Sequence, residues 1–535
     1  MMRRSLQSVL VLLVCTCTTF AWDATWESLD SRPLPSWYDK AKFGVFLHWG
    51  VFSVPAYGSE WFWQWWYEGD SEYVNFVEET ETRRFAYQNY AHRFDATFYD
   101  PRHWADVFAK SGAQYVVLTS KHHEGFCNWD STDIATTWNW NAMDIGPRRD
   151  LLGDLSVEIK NATSVQTNQT LKFGVYHSMF EWFNRGYRQD QASNWTRQDF
   201  VNTKTLPELY ELVNKYEPEL IWSDGSVDAD SEYWKSKEFL AWYATESPVA
   251  DTAVWNDRWG RECMCQHGGF VTCQDRYQPG KLVQRKWENA LTVDTTSWGW
   301  NRNSSLEQYL SVKQLVDTLI ETVAYNGNML LNIGPRADGI LPPVFVDRLY
   351  GIGEWLSVNG DAIYGTRPWS VAQHETASHV YYTTKKGAVG SYTNKEKQSA
   401  NDQKHHTDKS GDDDTQTMNT TANTLFAIMT KWPKGSVLYL AYPDTKCLEA
   451  VSMLGVNETL HWGSHSGKRD DSYEEVLSGG LFVELPLLTP DRIPSQHAWV
   501  VALQYSGGIG CNEPSRDNVG VGADTVADPN LTKVE

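Results

Sequence analysis

The hexapeptide Leu220-Ile221-Trp222-Ser223-Asp224-Gly225 is an apolar run that stops at an indole, a hydroxyl, a carboxylate and a glycine. A run closed by such a turn signal reads as a buried strand whose last side chains emerge at the rim of a sheet. There Asp224 can attack an anomeric carbon while Trp222 covers the apolar face of a sugar ring. An Asp before Gly is by itself a common turn residue, so the reading rests on its company. Other short apolar runs end at His48-Trp49-Gly50, at Lys121-His122-His123-Glu124, at Tyr176-His177-Ser178 and at Asn256-Asp257-Arg258. Strand ends that together carry His, Tyr, Trp, Arg and carboxylates make a rim suited to sugar hydroxyls.

Hydrolysis with retention needs a second carboxyl about 5–5.5 Å from the first, protonated while the first is ionised. Two candidates follow Asp224 in the chain: Asp275 in Cys273-Gln274-Asp275-Arg276-Tyr277, and Glu288 in Lys286-Trp287-Glu288. Asp275 is preferred, because a Gly-rich, Cys-flanked loop (His267-Gly268-Gly269) can reach over a leaving group; Glu288 reads more as a fixed supporting carboxylate. A cationic Arg258 nearby would keep the nucleophile ionised. A metal-dependent hydrolase using His122 and His123 is the rival chemistry, but adjacent residues on a strand point to opposite faces and hardly grip one ion. Cys263, Cys265 and Cys273 imitate a metal knuckle that lacks a fourth ligand at finger-like spacing. No metal and no cofactor is expected.

Holding these residues at one rim requires alternating strands and helices. From about Trp37 to Gly365 short apolar runs (Phe43 to His48, Tyr115 to Thr119, Phe173 to His177, Leu220 to Ser223, Ala253 to Asn256, Met329 to Ile333) alternate with amphipathic stretches. Asp100-Pro101 supplies an N-cap and an N1 proline, Trp104, Val107 and Phe108 share a face, and Gly112 closes that helix. Glu217-Pro218 stops another helix just before the Asp224 strand. The pattern predicts an α/β fold, a (β/α)8-like TIM barrel over residues 22–365. A doubly wound sheet fits less well, since no Gly-rich phosphate fingerprint follows the first strand. Beyond Gly365 short strand-like runs such as Ser436 to Leu440 and Ala498 to Leu503 predict a C-terminal β-sandwich over 366–535. A polar insert at about 394–423 cannot bury apolar surface and is expected to be a disordered loop, with its His405 and His406 solvated rather than metal-bound.

Composition sets the compartment. Arg3 and Arg4 precede the apolar run Val9 to Val14 and the small-residue end Thr19-Phe20-Ala21, which predicts a signal peptide over 1–21. The cysteines beyond it, Cys127, Cys263, Cys265, Cys273, Cys447 and Cys511, are even in number and favour disulfides of unread pairing. Sequons at Asn161, Asn168, Asn194, Asn303, Asn419, Asn457 and Asn530 agree with a glycosylated protein of the secretory pathway, lysosomal or extracellular. A net charge of −21 argues against nucleic acid and anionic membranes as partners, and no later segment is apolar enough to span a membrane. The 27 Trp exceed the needs of a core; Trp61, Trp63, Trp65 and Trp66 crowd one short stretch, which favours a carbohydrate pocket.

The ordered motifs FGVFLHWG, GSEWFW, YVVLTSKHHEGF, FGVYHS, LIWSDG, VWNDRWG, KWE, SWGW and NGNMLLNIGP, from about Trp22 to Trp369, resemble the retaining α-L-fucosidases of the tissue or lysosomal type. The resemblance implies that Asp224 is the nucleophile of a double displacement. It implies a fucose pocket made by His48, Glu60, Trp61, His122, His123, Tyr176, Trp222, Arg258 and Trp298. Asp275 and Glu288 both fall where the family resembles this chain, so the acid/base stays open between them. Expected substrates are terminal α-L-fucosyl groups on glycoproteins, glycolipids or oligosaccharides; homo-oligomerisation is left open. A catalytically silent fucose-binding lectin is the alternative of another class, and two spare acids beside Asp224 speak against it, since binding needs neither.

Overall fold

In a computed structural model, residues 21–131, 139–386, 423–465, 480–506 and 508–509 are described. The proposed signal peptide lies almost wholly outside them, as does the polar insert with His405 and His406. The chain divides into two units, one formed by residues up to Pro368 with Ser495–Ala498, the other by Trp369–Pro494 and the residues from Trp499 onward.

The first unit is built on parallel strands β1 (Phe43–Leu47), β2 (Tyr115–Lys121), β3 (Lys172–Ser178), β4 (Leu220–Asp224), β5 (Val254–Trp255), β6 (Trp287–Thr292) and β7 (Gly327–Ile333). Their order across the sheet is β5-β4-β3-β2-β1-β7-β6. Between its two edges runs a short eighth stave. Phe270 N–H donates to the Trp255 carbonyl at 3.2 Å, Val271 N–H to Lys286 O at 3.0 Å, and Glu288 N–H returns to Val271 O at 2.9 Å. The stave closes the ring and gives the (β/α)8-like barrel. β1 and β2 are buried at every position, as strands covered on both faces must be, which is why they read as continuous apolar runs.

Helix punctuation follows the sequence. Helix Pro101–Ser111 is capped by Asp100, whose carboxylate accepts from the N–H groups of Arg102 and His103, and ends at left-handed Gly112. Helix Leu206–Tyr216 ends at Glu217, itself left-handed, directly before β4. Inside the barrel Tyr38, Tyr115, Phe270, Leu220, Leu330, Phe46, Tyr176 and Trp222 pack in one cluster. Phe46, Tyr176 and Trp222 also line the cavity at the strands' carboxyl ends, so the upper part of the core is the floor of the site.

The second unit is antiparallel. Thr424–Met429 pairs with Val380–Lys385 and with Trp499–Tyr505, which also pairs with Leu448–Met453. A second sheet sets Gly480–Glu484 between Val437–Leu440 and Trp462–His465. Leu425, Ala427, Val501 and Leu503 from one sheet and Leu438, Leu440, Leu481 and Val483 from the other share a core, the arrangement of a β-sandwich.

Candidate active site

A cavity of about 420 Å³ opens at the carboxyl ends of the barrel strands. β4 delivers Asp224 to its wall, and Gly225 follows at φ +68°, a left-handed turn that L side chains rarely adopt. A methyl group on Gly225 would lie 2.2 Å from the Phe180 ring, so glycine is required for steric reasons too.

Three groups surround the Asp224 carboxylate. Arg258 Nη1 donates to Oδ1 at 3.0 Å, Tyr176 Oη donates to Oδ2 at 2.9 Å, and His123 Nε2 lies 3.7 Å from Oδ2. Burial would raise the pKa of this acid, but the Arg258 charge and the hydrogen bonds from Arg258 and Tyr176 hold it well below the usual carboxylate range. Asp224 is therefore an anion at any working pH. The guanidinium also donates from Nη2 to Asp275 Oδ1 at 2.6 Å, and its carbon lies 4.5 Å from the centre of the Trp222 ring. Neighbouring nitrogens of one planar group thus hold both carboxyl groups. The Asp275 side chain is 45% exposed and can exchange protons with solvent.

The remaining wall is imidazole and indole. His48 Nδ1 lies 2.7 Å from Asn332 Oδ1, and the Asn332 amide nitrogen donates to Trp298 O at 2.6 Å, which orients that amide. Nδ1 therefore carries the proton and Nε2 is left as an acceptor. Burial and the neighbouring His122 push the His48 pKa down to about 3, so the ring is neutral. His123 works the same way: Ser178 Oγ donates to Phe180 O and accepts from His123 Nδ1 at 2.7 Å, and burial lowers its pKa well below the usual histidine value. Glu60 Oε2 accepts the backbone N–H groups of Trp298 at 2.9 Å and Gly299 at 3.2 Å, fixing the loop that brings Trp298 to the cavity. Trp61 stands edge-on to His123 and Trp182.

Asp224, Asp275, His48, Glu60, Trp61, His122, His123, Tyr176, Trp222, Arg258 and Trp298 all line this cavity. Glu288 does not. It is fully buried beneath the floor, where its carboxylate accepts from Tyr38 Oη and Tyr115 Oη, each at 2.7 Å, and from the Trp222 indole at 3.0 Å. Burial raises its pKa to about 7 against those hydrogen bonds. The rim includes residues not singled out in the sequence: Gln64, Phe180, Trp182, Tyr187, Arg188, Gln191 and Met264. The signal for the β3 loop was present in the aromatic run Phe180-Glu181-Trp182-Phe183, directly after a strand end. Among the described residues no three His, Cys, Asp or Glu side chains are grouped to hold a metal. The cysteine trio resolves into a Cys265–Cys273 disulfide and a buried thiol at Cys263.

Comparison with known proteins gives the geometry its context. The family model described as Alpha-L-fucosidase matches residues 13–361, and the one described as Alpha-L-fucosidase C-terminal domain matches residues 412–504. The chain is 44% identical over 500 residues to an alpha-L-fucosidase of Branchiostoma floridae, covering 93% of this chain and 98% of that one. It is 42% identical over 479 residues to the human tissue alpha-L-fucosidase, covering 89% and 91% of the two chains. The crystal structure of Thermotoga maritima alpha-fucosidase in complex with fucose superposes with a TM-score of 0.67 at 29% identity, over 90% of this chain and 100% of the other.

Proposed function

The chain belongs to the alpha-L-fucosidase family and is a glycoside hydrolase acting on fucosides, and on that premise we propose that it removes terminal α-L-fucose by double displacement, with Asp224 as nucleophile and Asp275 as acid/base. The observation that carries this reading is that Asp224, held by Arg258 and Tyr176, shares one cavity with the exposed Asp275 while Glu288 lies outside it. In the first step an Asp224 oxygen bonds to the anomeric carbon as the bond to the aglycone oxygen breaks, and Asp275 gives that oxygen its proton. In the second, Asp275 takes a proton from water, the water oxygen bonds to the anomeric carbon, and Asp224 leaves as a carboxylate.

The other residues recognise the sugar. Neutral His48 and His123, His122 and the second oxygen of Glu60 meet hydroxyls, and Arg258 orients the nucleophile. Phe46, Trp222 and Trp298 supply apolar faces, which suit the C5 methyl because it makes no hydrogen bond. Fucosylated glycoproteins, glycolipids or oligosaccharides are the proposed substrates. The disulfide and the exposed sequon asparagines Asn161, Asn168, Asn194, Asn303 and Asn457 support a secretory route to the lysosome or the outside of the cell. No helix among the described residues is long and apolar enough to cross a membrane.

The test is a chromogenic α-L-fucoside with azide present. Asp224→Ala should lose at least about 10³-fold in kcat and yield a fucosyl azide of inverted configuration. Asp275→Ala should yield one of retained configuration. Normal hydrolysis by Asp224→Ala would end the assignment.

A further inference from the structure

We propose that Asp257, a residue outside the cavity, is the positioning residue that sets the loop bearing the acid/base. The inference rests on the assignment of Asp275 to that role. Asp257 is fully buried beside Arg258, and both of its oxygens are committed to one short segment. Oδ2 accepts the backbone N–H groups of Cys265 at 2.7 Å and Cys273 at 3.1 Å, the two residues joined by the disulfide. Oδ1 accepts the Thr272 hydroxyl at 2.6 Å. The Thr272 oxygen in turn accepts Arg258 Nε at 3.1 Å, and Arg258 Nη2 holds Asp275.

One carboxylate therefore nails both ends of a covalently closed loop and, through a hydroxyl, aims the guanidinium that grips the acid two residues beyond Cys273. Glycine makes the approach possible. A methyl group on Gly268 would stand 2.4 Å from the Asn256 carbonyl oxygen and 2.9 Å from the Asp257 Cα, so the loop lies directly on the Asp257 backbone. Hydrogen bonds to an anion are the strong kind, and a carboxylate that takes two backbone donors and a hydroxyl inside the protein leaves this loop one resting position. General acid catalysis needs that precision, since a misplacement of about 1 Å can cost roughly 10²-fold.

A positioning role is separable from a merely structural one by the leaving group. Fucosides of acidic phenols depart without a proton, whereas alkyl fucosides need one. The full-length protein would be assayed as wild type, Asp257→Asn, Thr272→Val, the double variant Cys265→Ser/Cys273→Ser, and Asp275→Asn as the reference. The readout is the ratio of kcat/KM for a dinitrophenyl fucoside to that for an alkyl fucoside. Asp275→Asn should raise the ratio by about 10²-fold or more, and Asp257→Asn and the double serine variant by at least about 10-fold. Azide should restore part of the loss as the retained fucosyl azide. If Asp275→Asn raises the ratio but the loop variants lower both rates equally, Asp257 only stabilises the fold and the proposal is overturned. Should Asp257→Asn fail to fold, an unchanged ratio in both the threonine and the double serine variants overturns it equally. If Asp275→Asn itself leaves the ratio unchanged, the acid assignment fails first, and this inference falls with it.

Discussion

Replacing Glu288 by Gln tests the division between site and floor. The Glu288 carboxyl is buried with three donors and, among the described residues, no cation in hydrogen-bond range, and its pKa stands at about 7 against an ordinary 4.5. The sign follows from proton counting: between those two values the unfolded chain has released this proton and the folded chain has kept it, so stability falls as pH rises through the window. The displacement is worth about 3 kcal/mol in total, all of it present below pH 4.5 and gone above about 7. Gln stays neutral throughout, can present its oxygen to the Trp222 indole, and can turn its amide towards the tyrosine hydroxyls, which also accept. Asp224, whose pKa is depressed, titrates the opposite way: its contribution is complete above the ordinary carboxylate pKa and is lost only as pH falls below it. It is common to both proteins and cancels in the difference. Thermal unfolding at pH 4.5 and pH 7.5 should therefore show the variant gaining about 3 kcal/mol on the wild type, near 4 °C in Tm for a unit of this size. Parallel Tm-against-pH curves would refute the buried-acid argument. Retained-configuration fucosyl azide from Glu288→Ala would refute the assignment of Asp275.

Other substitutions and treatments probe the walls. Gly225→Ala should cost about 2–3 kcal/mol, from the left-handed backbone and from the collision with Phe180; because Phe180 stacks on His123, KM should rise with the fall in Tm. Glu60→Ala strands the N–H groups of Trp298 and Gly299 and should destabilise the protein by about 1–3 kcal/mol while raising KM. Glu60→Gln keeps an acceptor there, so Tm should stay near wild type; an equal fall in both variants would show that the charge, not the acceptor, holds the loop. Prolonged dialysis against a chelator should leave kcat/KM unchanged, since the proposed steps use only two carboxyl groups, and a loss restored by zinc would revive the His122–His123 alternative.

The strand ends were legible because parallel strands buried on both faces leave apolar runs that stop where the rim begins. Asp224, His48, Tyr176 and Arg258 stand at such stops, and the cavity unites them. β6 escaped notice for a related physical reason. Trp287-Glu288-Asn289-Ala290-Leu291-Thr292 is buried at every position, yet half of its residues are polar, because tyrosine hydroxyls and an indole replace the apolar packing that usually marks a strand. The missed strand is what kept Glu288 open as a second candidate beside the preferred Asp275. Glu288 sits second on β6 in register with Asn328 near the start of β7, whereas Asp224 closes β4 beside Ser178 at the end of β3. The two carboxylates therefore belong to different levels of one barrel, and chain order carries no record of that height. Asp275 follows the eighth stave, which is too short to leave an apolar run. Its place at the rim rests on a disulfide of sequence separation 8 and on a buried Asp257 that lies 8 to 16 residues from its partners; these contacts are close in the chain but polar and covalent, so the segment that carries the proposed acid/base leaves no hydrophobic pattern to read.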